Sequence, residues 1–241
     1  MSSSTNLKLL VQATPLRLPR ICLLTCYLPN YEAIAEKTVA QNKAEYAKRW
    51  GHDLLALFDV SPKYTDEHSH AWGISWNRIE TAIETAKSGK YDWVYVVGAD
   101  TLITNMTIPL TSLIDDAYHF IISNDCNEWN ADSMLWRCSP EGIAFMDDVL
   151  SQYERLKHHV WVEQQAMIEV RGRHPICKTL PQRAMNSYEY SLYPNRGPRD
   201  GKDCAGNDGQ WQPGDFLIHW AGLNSHVRKE QIEKVMPQVV R

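Results

Sequence analysis

What this chain of 241 residues lacks narrows its possible functions first. It has no apolar run approaching the roughly 20 residues of a membrane-spanning helix. Its opening segment, MSSSTNLKLLVQATPLRLPR, is polar and mixed, without the apolar stretch of a secretory leader. The expectation is a soluble protein of a reducing, cytoplasmic compartment with no integral membrane segment. There is no block of like charge either. The formal net charge of −4 comes from 25 basic and 29 acidic residues spread along the chain, which argues against a nucleic-acid partner. The six cysteines never form a C-x-x-C pair, so a zinc ribbon is excluded, and their even number permits disulfides without requiring them. No glycine-rich loop follows the first apolar run: TCYLPNYEA has no glycine, which disfavours a nucleotidyltransferase that cradles phosphate in this way. Internal repeats and low-complexity segments are absent.

What is present is enough apolar material, 44% of residues, for one sizeable core. ICLLTCYL (21–28), DLLALFDV (53–60) and YDWVYVVG (91–98) read as buried strands, and residues 31–50 and 74–89 between them have helical composition. Gly51 and Gly89 stand where helix-stopping glycines belong. This β-α-β-α-β order predicts an α/β fold with a Rossmann-like, mostly parallel sheet flanked by helices. Farther on, the pattern predicts a short helix in TIPLTSLID (107–115), a strand over 119–123, and a polar loop from 124 leading into the strand SMLWR. It then predicts helices over 140–156 and 160–170, a long loop region over 171–212, and a strand in GDFLIHWAG (214–222). The domain organisation is a loose lead-in, residues 1–19, and a single domain, 20–241. Nine Trp and eleven Tyr suit both a packed core and a sugar-binding cleft, because aromatic faces cover the C–H faces of pyranose rings.

The most informative segment is YDWVYVVGADTLITN (91–105). It sets one carboxylate, Asp100, at the C-terminal edge of a buried strand, where open α/β sheets place their ligands. Four groups then line up: NKAEYAKRWGHD (42–53) with WNRIE (76–80); VGAD (97–100); NEWNADSMLWR (127–137) with EQQA (163–166); and LPQRAMNSY (180–188) with QPGDFLIHWAG (212–222). Together they resemble glycosyltransferase family 34, over roughly residues 20–225, with the last group the most specific.

The resemblance implies a GT-A fold and a metal-dependent transferase that moves a hexose or pentose from a UDP- or GDP-linked sugar to a glycan acceptor with retention of configuration. The alternative is a catalytically degenerate domain that binds nucleotide or glycan without turnover. Asp100 matches the second acid of the family's Asp-X-Asp motif, and His219 a histidine ligand of the same Mn²⁺ or Mg²⁺. Thr25, Cys26 and Tyr27 fall where the nucleotide is bound, Arg78 where a phosphate contact is expected, and Asn130 and Asp132 at the donor sugar. Glu163 and Gln164 match the segment near the anomeric carbon and, with Asp132, are the expected catalytic residues. Three positions depart from the family pattern. Gly98 replaces the first acid of Asp-X-Asp, Asp132 stands where a glycine is expected, and Asn224 takes the place of a phosphate-facing lysine, for which Arg228 or Lys229 would substitute. Relatives of this kind act in the Golgi. With no anchor in the sequence, the expectation is a cytosolic enzyme of bacterial or viral type, or a Golgi-lumen one had the chain been trimmed.

Overall fold

The computed structural model describes residues 17–58, 60–64, 70–193 and 202–241. Most of the expected lead-in lies outside that range. Among the described residues there are eight strands: β1 (Ile21–Tyr27), β2 (Asp53–Phe58), β3 (Trp93–Val97), β4 (Thr101–Ile103), β5 (Phe120–Asp125), β6 (Glu128–Arg137), β7 (Cys177–Leu180) and β8 (Leu217–His219). Six of them form one sheet in the order β2-β1-β3-β6-β5-β7, and β4 and β8 form a small second sheet. β1 is parallel to β2 and β3, and β5 is parallel to β7. Only β6 runs against its neighbours, antiparallel to β3 and β5. The expected mostly parallel α/β sheet is therefore what forms.

Both faces of the sheet are covered. On one, the helices His70–Lys87, Pro140–Ser151 and Val162–Val170 pack Ile79, Phe145 and Met167 against Val96, Phe120 and Trp136. On the other, Tyr46, Leu102, Phe216, Trp220 and Ile232 pack against Tyr95, Ile121 and Leu135. The near-continuous burial of β3 follows from this two-sided cover, as expected for a strand parallel to its neighbour and masked on both faces. All six cysteines are free.

Several boundaries differ from the sequence reading. The polar stretch after residue 124 is no loop: Asp125 and Glu128 face each other across a tight turn, and β6 begins five residues before SMLWR. Polar side chains there point into a site and do not end the strand. Within the short helix expected over residues 107–115, only Leu110–Ser112 make a helical turn, and directly after Asp100 an unexpected strand, β4, pairs with β8. The second helix starts at His70, earlier than the expected residue 74. The expected long loop contains β7 at the sheet edge, and residues 194–201 of it lie outside the described part. A C-terminal helix, Ser225–Val235, was not expected. Asn224 is its N-cap, its Oδ1 accepting from Val227 N at 3.0 Å.

The helical segment ending at Trp50 has a specific task. From Glu36 to Lys43 it widens into π-helical turns, a form common at functional sites. Its side chains grip the backbone that follows β3. Thr38 Oγ1 donates to Ala99 O (2.6 Å), and Lys43 Nζ donates to Thr101 O (2.8 Å). Asn42 pairs with both the N–H and C=O of Ile103 (2.9 Å each), Tyr46 OH donates to Ile108 O (2.8 Å), and Trp50 Nε1 to Met106 O (2.9 Å). This accounts for the NKAEYAKRW segment: its polar residues satisfy the exposed backbone of a bend that carries Asp100.

Removing Asn42 leaves two buried backbone groups unpaired. We expect Asn42→Ala to lose about 2–4 kcal/mol of stability, read from urea unfolding curves. Lys43 is fully buried, and burial pushes its pKa down from 10.5 to about 7. Between those values the folded state holds fewer protons than the unfolded chain, so this group's contribution to stability rises as pH climbs from about 7 to about 10. Lys43→Met is expected to flatten that part of the stability–pH profile.

Candidate active site

Three strands deliver three ligand-type atoms to one point. β3 ends at Val97, and the Gly98-Ala99-Asp100 bend carries the first carboxylate. β6 is antiparallel to β3, with Ser133 opposite Val97 and Gly98 N donating to Asp132 O at 2.8 Å, so Asp132 arrives at the same edge from the other direction. The pairing of β4 with β8 sets His219 against Thr101, beside Asp100. His219 Nε2 lies 3.6 Å from Asp100 Oδ1 and 3.6 Å from Asp132 Oδ2. One ligand atom from each residue falls within a 4.8 Å group.

The histidine is prepared for coordination. It is fully buried, its Nδ1 faces Asn186 Oδ1 at 2.8 Å, and its Nε2 has no hydrogen-bond partner. Asn186 Oδ1 accepts only if Nδ1 carries the proton, which leaves the Nε2 lone pair directed at the two carboxylates. A buried, orphaned acceptor between two acids fits a divalent cation, and the mixed oxygen and nitrogen donors suit Mn²⁺.

Each acid is also held by a guanidinium. Arg228 Nη2 donates to Asp100 Oδ2 (2.7 Å), while the same side chain donates to Trp220 O (3.0 Å) and to the Tyr31 hydroxyl. Arg78 Nη1 donates to Asp132 Oδ1 (2.6 Å) and Nη2 to Glu163 Oε1 (2.5 Å). Burial disfavours the charge on Asp100, yet His219 and Arg228 hold its pKa below the usual carboxylate range. For Glu163, burial outweighs Arg78 and pushes the pKa up. For His219, burial opposes protonation, but Asp100 and Asp132 raise its pKa.

Gly98 and Asp132 fit together. A Cβ on residue 98 would sit 2.9 Å from Asp100 Oδ1 and 3.0 Å from Asp132 Oδ1. The Asp132 carboxylate fills the space that an acidic side chain at 98 would need. The acid missing from one strand is supplied from the strand paired with it.

Two cavities meet at this cluster. The first, about 380 Å³, is lined by Cys26, Tyr27, Tyr31, Arg78, Asp100 and Asp132, among others. The second, about 280 Å³, is lined by Asn130, Asp132, Trp161, Glu163 and Gln164 with others, and Arg78 lines both. Of the sequence-derived site residues, Asp100, Asp132 and His219 converge, and Cys26 and Tyr27 open onto the first cavity. Thr25 is fully buried behind them and lines neither. The Arg78 side chain is 7% exposed and engaged with two carboxylates. Glu163 is buried on that arginine, while Gln164 Oε1 accepts from Ala131 N at 3.2 Å. Asn130 binds Asp125 Oδ2 (2.9 Å) and the Tyr188 hydroxyl (3.0 Å). The sequence reading missed the roles of Asn186, Tyr188 and Lys43, although all three sit in segments it had marked. A histidine ligand's need for an outer hydrogen-bond partner is the signal that points to Asn186.

Comparison with known proteins bears on sequence family and fold. The profile of the galactosyl transferase GMA12/MNN10 family matches residues 114–230. A Schizosaccharomyces pombe protein named as an uncharacterised alpha-1,2-galactosyltransferase is 25% identical over 231 residues. That match takes in 77% of this chain and 56% of the relative, so the chain spans little more than half the relative's length. Among solved structures, a glycosyltransferase involved in glycosylation of the major capsid of PBCV-1 superposes with a TM-score of 0.68 at 18% identity, over 90% of this chain and all of the other. The galactosyltransferase LgtC, in complex with donor and acceptor sugar analogues, gives 0.58 at 12% identity, over 91% of this chain and 96% of LgtC. The expected GT-A fold is thereby shown.

Asn186→Ala is expected to weaken Mn²⁺ binding by about 10–100-fold while the fold is retained. Gly98→Ala, whose added methyl crowds both carboxylates, is expected to weaken it in the same direction. Calorimetric Mn²⁺ titration with circular dichroism of each variant checks both.

Proposed function

We propose that this chain, similar in sequence to the galactosyl transferase GMA12/MNN10 family and in fold to glycosyltransferases, is a divalent-metal-dependent retaining glycosyltransferase. It moves a sugar, most simply a hexose, from a UDP- or GDP-linked donor to a glycan acceptor. The observation that carries this reading is the convergence of Asp100, Asp132 and His219 Nε2 at the point where two cavities meet.

Asp100, Asp132 and His219 would hold the cation, which when bound would neutralise charge on the departing diphosphate. The first cavity takes the nucleotide. Tyr27, whose ring meets Phe58 edge-on at 4.9 Å, offers a face for the base beside Cys26, and burial keeps the Cys26 thiol protonated by raising its pKa to about 12. Arg228 helps to keep Asp100 charged and Arg78 holds the Asp132 carboxylate in place before the donor arrives, so the donor's diphosphate meets a preorganised site. Gln164 and Glu163 stand on the sugar side, where a polar group steadies the positive charge that develops at the anomeric carbon. Two of the departures from the family pattern have structural counterparts that support activity: Asp132 offers an acid beside Gly98, and Asn224 caps a helix whose Arg228 reaches Asp100.

Screening UDP- and GDP-sugars for slow hydrolysis with and without Mn²⁺ tests this reading. Hydrolysis that depends on Mn²⁺ and falls at least about 100-fold in Asp100→Asn and Asp132→Asn is expected. Metal-independent donor binding without any hydrolysis would leave the binding-domain reading in its place. Gln164→Ala is expected to lower turnover about tenfold or more with little change in donor affinity, and unchanged turnover would remove Gln164 from the mechanism.

A further inference from the structure

Resting on the donor reading above, we propose that the second cavity is the acceptor subsite and that the Trp161 indole is the platform on which an acceptor pyranose docks. The two cavities share Ser75, Arg78 and Asp132, so the cation cluster lies on the wall between them. A donor whose diphosphate sits on that cluster and whose base lies by Tyr27 directs its sugar toward the second cavity, and the attacking hydroxyl must enter from the same side.

The lining of that cavity suits a polyol. Asn127, Asn130 and Gln164 offer amides, and the Gln164 NH2 makes no hydrogen bond among the described residues. Asp125 is 3% exposed and has no cationic partner among the described residues. It is held by neutral donors: Tyr188 OH at 2.6 Å, Asn130 Nδ2 at 2.9 Å and Asn127 N at 2.6 Å. Glu163 Oε2 is buried and unpaired in the same wall. With Arg78 engaged by Asp132 and Glu163, and Asp125 held by neutral donors alone, a cleft lined with these amides favours neutral hydroxyl donors over anionic ligands.

One aromatic side chain interrupts this polar lining, next to the exposed Val160. Trp161 is 38% exposed and precedes the helix Val162–Val170, which carries Glu163 and Gln164. His159 meets the indole at a steep 64°, with ring centroids 5.9 Å apart, and Trp161 N donates to His159 Nδ1 at 3.2 Å, so the side chain is steadied without being stacked upon. The next residue, Val162, has φ of +31°, a conformation that β-branched residues avoid. This strained step buries Val162 and Glu163 while leaving Trp161 at the cavity mouth, and strain of this kind collects at ligand sites. An exposed indole beside hydroxyl-binding groups matches the two faces of a pyranose: C–H bonds on one side and hydroxyls around the rim.

The test uses methyl α- and β-glycosides of galactose, glucose, mannose and xylose as probes, with ligand-observed saturation-transfer NMR on wild type, Trp161→Ala and Trp161→Phe. We expect at least one glycoside to bind the wild type, to weaken about tenfold or more in Trp161→Ala, and to be largely restored in Trp161→Phe. Saturation should concentrate on the protons of one pyranose face and redistribute in the alanine variant. No glycoside bound by the wild type, or equal binding by Trp161→Ala, overturns the proposal. Titration of the wild type with UDP and GDP in the presence of Mn²⁺ separates the two readings: failure there sinks the donor reading, whereas nucleotide binding without glycoside binding sinks this one.

Discussion

Two carboxylates that converge on one buried imidazole nitrogen are the constraint around which this site is built. Asp100, largely buried, and Asp132, a third exposed, both approach His219 Nε2 to 3.6 Å, and like charges brought to one point are tolerable only with compensation. The fold supplies it on both sides. Arg228 reaches in from the C-terminal helix, Arg78 from the helix His70–Lys87, and Glu163 offsets the second arginine. Each acid thereby gives one oxygen to a guanidinium and keeps another for the shared point. Breaking one such buried pair typically costs about 3–5 kcal/mol, so the cluster is part of the fold's own stability as well as its chemistry.

The surrounding backbone is organised to keep that point fixed. The bend holding Asp100 lies between β3 and β4; Thr38 binds its Ala99 carbonyl, and Lys43, Asn42, Trp50 and Tyr46 bind the backbone that follows it, from Thr101 to Ile108. His219 is fixed from the other side by the β4–β8 register and by Asn186. Loop-borne ligands are therefore held almost as rigidly as strand-borne ones, which is what electrostatic preorganisation demands.

Much of this was legible in the sequence, and the reasons differ by element. β1 and β3 were visible because strands buried on both faces read as unbroken apolar runs, and the Asp100 edge followed from where such strands end. The pairing of Asp100 with His219 came from the family resemblance, because nothing local links positions so far apart. The start of β6 was misread, since its polar residues Asn130 and Asp132 face a cavity and so imitate a loop. β4 was missed because three residues beside a bend give too short a pattern. The position of Asp132 beside Asp100 and His219 depends on strand pairing, which no single-sequence periodicity encodes.

Gly98 and Asp132 also constrain how such a chain diverges from its relatives. An acidic side chain at 98 would collide with the carboxylate already present, whereas losing Asp132 while 98 is glycine removes an acid outright. Neither exchange is neutral alone, so the two positions are expected to vary together across a lineage, and an inventory of acid motifs read along one strand would overlook chains that took this route.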